Sequence, residues 1–153
     1  MEKKYDSVKD TMAHKKIVKS TMEVLIKELE ERANNHDNSK LKNPEKECYD
    51  KYIPLLKETP FGTAEYVKVR NKMNEDGLAH HFKENRHHPE HYPNNDISHM
   101  DLVDLVEMFV DHVAASKRSD TGYAKGEEFN KNKYHYSDQV YKILMNTFEH
   151  YFE

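Results

Sequence analysis

Apolar residues recur along this chain at helical spacing and almost nowhere in the two-residue alternation of a half-buried strand. Val8, Met12, Ile17, Met22, Leu25, Ile26 and Leu29 trace a stripe between lysines and glutamates. The stripe predicts a helix from about Asp6 to Ala33 that buries it, ending at Asn34-Asn35. Asn43 as N-cap, Pro44 in the first helical position and Glu45 in the first turn open a second helix carrying Tyr49, Tyr52, Ile53 and Leu56, with Pro54 expected to bend or shorten it. Thr63 caps a third through Tyr66, Val69, Met73 and Leu78 to His80-His81, loosened at Gly77 and forced to exit near His88 by Pro89. Ser98 begins the most apolar element, where Met100, Leu102, Val103, Leu105, Val106, Phe109, Val110 and Val113 predict a central core helix ending near Ser116. Lys117–Tyr136, with Gly122, Gly126 and many charges, reads as a mobile loop or lid. Ser137 and Asp138 then cap a last helix to about Tyr151. The prediction is an all-α chain.

Composition narrows the function classes. At 153 residues, with 36% apolar or aromatic, the chain suits a single domain with a real core. Its 24 basic and 28 acidic residues are interspersed, so no basic stripe marks a surface for duplex nucleic acid. Cys48 is alone, which excludes an internal disulfide and suits a reducing compartment; with Glu47 and Tyr49 beside it, it reads as structural. No apolar run approaches the roughly 20 residues of a membrane span, and the charged start, Met1 to Tyr5, does not look like a leader. The expectation is a soluble, cytoplasmic protein, its assembly open between monomer and homodimer.

The chemistry lies in the order of imidazoles and carboxylates. His36-Asp37 offers a nitrogen and an oxygen to one cation just past the first helix, and His14 lies on that helix beside Ile17 and Val18. Between His80 and His91, five imidazoles fall within twelve residues, a density that core packing does not require. At about 100° per residue a continued helix would set His81, Asn85 and His88 on one face and His80, Glu84 and His87 on the next. One face would bind metal while the other orients it, with Glu84, Glu90 or Asn85 accepting the second ring proton. On the core helix Asp104, Glu107 and Asp111 share a face that needs a cation or basic residues opposite; Asp111 is the best ligand candidate, and Asp104 and Glu107 suit either support behind the ligands or structural pairs with Arg86 or lysines. Lys40, Arg86, Lys117 and Arg118 supply positive charge for a phosphate oxygen. Tyr123, Tyr134, His135 and Tyr136 offer either a stacking surface for a base or a packed cover.

In this order the residues resemble the HD superfamily of metal-dependent phosphohydrolases, all-helical proteins whose ligands run His, His-Asp, optional His, Asp. His14 is similar to the family's first-helix histidine, His36-Asp37-Asn38-Ser39-Lys40 to its HDxGK signature, and Asp111 to Arg118 to the DxxDALTSxR segment of the HD-GYP branch. His80-His81 through Tyr92-Pro93 loosely resembles that branch's HHExxDGxGYP, but Asn85-Arg86 stands where the branch has Asp-Gly, so cleavage of a cyclic dinucleotide is not implied. The chain also resembles a small family of phage and bacterial proteins carrying NxHHPEH and EMxxDxxAAS. The resemblance implies that His14, His36, Asp37 and Asp111 hold a first metal, with His81, His88 and His91 available for a second. It further implies that Lys40 touches the scissile phosphate; with the basic residues added for their charge, Lys40, Asp37 and Arg86 are expected to serve the reaction and Lys40, Arg86 and Arg118 to bind substrate. The implied cofactor is one or two divalent ions, Mn, Mg, Zn, Ni or Fe. The implied activity is hydrolysis of a nucleotide phosphomonoester or phosphodiester by metal-activated water. Two rivals stay open: a di-iron oxygenase on the same scaffold, and a non-catalytic module that binds a nucleotide or a host protein.

Overall fold

The computed structural model describes residues 5–60, 62–118 and 122–153. All regular structure among them is helical, in the order α1 (Ser7–Asn35), α2 (Glu45–Glu58), α3 (Ala64–Met73), α4 (Ala79–Glu84), α5 (Leu102–Ser116), α6 (Tyr123–Tyr134) and α7 (Asp138–Tyr151), joined in part by single 3₁₀ or π turns. By its internal contacts the chain divides into two compact units, Met1–His36 and Asp37–Glu153.

The first unit is essentially α1, a 29-residue helix whose N-cap Asp6 accepts a hydrogen bond from the Val8 amide. Its bounds are close to those predicted, but its apolar stripe is not buried: none of its residues is, and Val8, Met12, Ile17, Met22, Leu25 and Ile26 are exposed. Helical periodicity fixes which residues share a face; it does not supply a neighbour for that face.

The second unit has two apolar clusters. Cys48, Tyr52, Met73 and Leu78 form one, joining α2, α3 and the turn before α4. Met108, Phe109, Val113, Tyr123, Tyr136 and Leu144 form the other, from α5 to α7. Burial of side chains of this size contributes about 1.5–3 kcal/mol each, which makes these clusters the main support of the unit.

Several elements differ from the pattern-based reading. Pro44, after a cis Asn43–Pro44 bond, takes the N-cap position of α2 in place of Asn43, and α2 runs through Pro54 to Glu58. Thr63 caps α3 as predicted, its Oγ1 accepting from the Tyr66 amide at 3.1 Å. The loosening at Gly77 is a π turn over Asn74–Leu78. α4 stops at Glu84 because Asn85 turns extended, so the helix ends before His87-His88 and the predicted sharing of helical faces does not hold. α5 starts at Leu102, not Ser98: Asp101 and Asp104 form a capping box there, while Ile97–His99 is a separate 3₁₀ turn. The segment expected to be a loop contains α6, and Gly122, at φ +75°, stands at its N-cap. Residues 119–121 of that segment lie outside the described residues.

Candidate metal centre

The site begins at Asp37, which adopts a left-handed conformation (φ 56°, ψ 17°) that a short polar side chain tolerates better than most. A 3₁₀ turn follows over Asn38–Leu41, and Lys40 folds back so that Nζ lies 2.5 Å from Asp37 Oδ2. Lys40 Nζ also sits 5.0 Å from the centre of the Tyr49 ring.

α4 and the segment after it deliver the histidines. His81 and His87 are buried and His88 half-buried. Ending α4 at Asn85 lets the extended segment fold back, and His88 Nε2 comes to 2.8 Å from His81 Nε2. His81 Nε2 is 3.4 Å and His87 Nε2 3.5 Å from Asp37 Oδ1. Asp37, His81, His87 and His88 thus each offer one ligand atom, all within 4.8 Å of one another.

Two carboxylates support these rings from behind. Glu45, wholly buried on α2, accepts from His81 Nδ1 at 2.9 Å, from Ser39 Oγ at 2.8 Å and from His80 Nδ1 at 2.7 Å. Glu107 on α5 accepts from His87 Nδ1 at 3.1 Å. Asn85 Nδ2 donates to the His81 carbonyl and to Ser39 Oγ, both at 2.8 Å, tying α4 to the turn after Asp37.

The electrostatics keep the rings ready to ligate. Burial pushes the pKa of His81 down, with the Lys40 charge adding to it. His88 is pushed down to about 3 by burial and by its neighbours His87 and His81. Both are neutral near pH 7, the form that donates a lone pair to a cation. Burial alone would raise the Glu45 carboxyl, but its hydrogen bonds from His80, Ser39 and His81 hold it below its usual range.

This donor set fits a divalent ion. Ligands about 2.0–2.1 Å from a tetrahedral ion stand roughly 3.3 Å apart, close to the two Asp37 to histidine separations. The His81 to His88 contact is shorter, at 2.8 Å, and a cation would have to open it by about half an ångström. At that distance the two nitrogens either share a proton or face a common ion.

The other candidates divide between residues near the four ligand atoms and residues that lie elsewhere or do other work. His14 is exposed on the same unbroken helix that ends at His36. At 1.5 Å per residue the interval is about 33 Å, so His14 and the His36-Asp37 pair do not hold one ion. His36 is the C-cap residue of α1, directly before Asp37. His91 donates from Nδ1 to the Phe82 carbonyl at 3.1 Å and is not in the four-residue group. Asp111 is half-buried on α5, with a carboxylate oxygen within 4.8 Å of a His87 ring nitrogen, and its charge acts on His88. Arg86 faces the start of α5, giving Nε to Asp104 Oδ1 at 3.0 Å and Nη2 to Asp104 Oδ2 at 2.6 Å and to Asp101 at 3.3 Å. These bonds clamp Arg86 to the start of α5. Arg118 is exposed beyond α5. Tyr123 and Tyr136 are buried in the core and Tyr134 donates to Glu90, so these aromatics pack down. Sequence reasoning left His87 out of the ligand set and missed Glu45. The histidine cluster already signalled the first, whereas nothing in the spacing marked a glutamate 35 residues before His80.

A family model described as a family of unknown function (DUF5662) matches residues 3–150, and the chain belongs to that family. No curated protein and no solved structure matches the chain.

Proposed function

We propose that this DUF5662 member is a metal-dependent phosphohydrolase acting on a phosphomonoester or phosphodiester of a nucleotide. The observation that carries the metal reading is the convergence of Asp37, His81, His87 and His88 within 4.8 Å, with carboxylates behind two of the rings. Three imidazoles and one carboxylate favour Zn, Fe, Ni or Mn over Mg, which prefers an all-oxygen shell.

A divalent ion here supplies Lewis acidity toward a phosphoryl oxygen and acidifies water, the two requirements of phosphate ester hydrolysis. The chain's own residues do the rest. Asp37 and the three histidines hold the ion. Lys40, paired with Asp37 and about one-third exposed, puts an ammonium at the rim where a phosphate oxygen would sit. Tyr49, edge-on to His81, closes one side of the group. The order His36-Asp37 through Asp111 keeps the resemblance to HD phosphohydrolases as support for the choice of phosphate esters, and the proposed location is the cytoplasm.

The test is a panel of nucleoside mono-, di- and triphosphates and dinucleotides, incubated with protein loaded in turn with Mn, Zn, Ni or Fe(II). The expected result is phosphate or nucleotide release that a chelator abolishes, and that Lys40→Ala lowers by about tenfold or more. Nucleotide recovered intact with every metal would sink the hydrolase reading and leave a binding protein.

A further inference from the structure

We infer that Glu45 and Glu107 are positioning residues that fix how His81 and His87 present their Nε2 atoms to a metal, an inference that rests on the metal reading above. Each carboxylate meets the Nδ1 side of one ring, at 2.9 Å for His81 and 3.1 Å for His87. With Nδ1–H donated to a carboxylate, the neutral ring has its lone pair on Nε2. In both rings that Nε2 is the atom turned to Asp37 Oδ1. The same bonds stop ring rotation and make the imidazole a stronger base toward a cation.

Burial makes this arrangement costly without a purpose on the ligand side. Glu45 and His81 are almost completely enclosed, and the Glu107 and His87 side chains are at most one-tenth exposed. Ionised carboxylates in such places require dense hydrogen bonding, and Glu45 accepts from Ser39 and His80 as well as His81. The two supports come from different helices, α2 and α5, which arise from different apolar clusters of the second unit. The geometry of the four ligand atoms is therefore set jointly by both clusters, not by the histidine-rich segment alone.

The experiment measures Zn²⁺ affinity by competition with a chromogenic chelator, on the full chain and on Glu107→Leu, Glu107→Gln and Glu45→Gln. Circular dichroism and the metal-free melting temperature of each variant are recorded alongside. Glu107→Leu should weaken Zn²⁺ binding by about 10–100-fold, and Glu107→Gln, which retains an acceptor, by less. In ¹⁵N-edited spectra of the imidazoles, the Nδ1–H form of His87 should persist in Glu107→Gln and disappear in Glu107→Leu, a change that a purely structural role does not produce. Glu45→Gln should also lower affinity, and if it fails to fold, the Glu107 pair still decides the matter. Parent affinity retained in folded Glu107→Leu, with Asp37→Ala unable to bind, would overturn the positioning role while leaving the metal reading intact. A parent chain that takes up no Zn²⁺, Mn²⁺, Ni²⁺ or Fe²⁺ would overturn both.

Discussion

Gly77 has no room for a side chain: a Cβ there would lie 2.6 Å from Cys48 Cβ and 3.0 Å from its Sγ. Helix propensity alone would make Gly77→Ala stabilising by up to about 1 kcal/mol. The crowding predicts the opposite sign, a loss of about 1–3 kcal/mol, seen as a lower urea midpoint at unchanged m-value. A higher midpoint would mean that α2 and the π turn are not this close. A glycine inside a helical pattern predicts loosening at Gly77, but only the fold shows that Cys48 sits against it. For Arg86 the sequence was more informative: Asp104 was expected to pair with it or with lysines, and the turn of the chain at Asn85 supplies that pair across 18 residues, with Asp101 added. Asp37 and His88 were legible as candidate ligands because adjacent His-Asp and clustered imidazoles have few other uses.

At the scale of elements, helix existence was largely readable and helix ends were not. Asn85 ends α4 through its backbone conformation, and that break is what lets His88 reach His81. Glycines and charges disguised α6 as a loop, although Tyr123 and Glu127 are buried on it. The attachment of α5 has a pH signature. Burial alone would raise the Asp104 carboxyl, but Arg86, Tyr92 and the Asp101 amide hold it at about 2 against an ordinary 3.8. A folded-state pKa below the unfolded value gives stability that is complete above about pH 4 and lost as pH falls toward 2. The loss should be about 2 kcal/mol, and Asp104→Asn should flatten the stability curve in that window. An unchanged acid slope in Asp104→Asn would show that other carboxylates govern acid unfolding.

At the scale of the whole molecule, the two units should differ in local stability. α1 has no buried residue, whereas α5 buries Val103, Asp104, Met108, Phe109 and Val113. Amide hydrogen exchange should therefore be faster throughout the middle of α1 than in α5. Equal protection would mean that another surface covers the α1 stripe in solution, a second copy of the chain being one candidate. Among the described residues no helix is long and apolar enough to cross a membrane. The all-α class was legible from periodicity, but the exposure of the α1 stripe was not, since it has the same pattern as a buried one. Elemental analysis decides whether Asp37, His81, His87 and His88 hold a metal ion. After equilibration with Zn²⁺ or Mn²⁺ and removal of free ion, the parent chain should retain metal close to one ion per chain, an estimate from a single set of about four protein donors. Asp37→Ala and His88→Ala, still folded by circular dichroism, should retain at most about a tenth of that. No retained metal in the parent, or equal metal in all three proteins, would contradict the assignment.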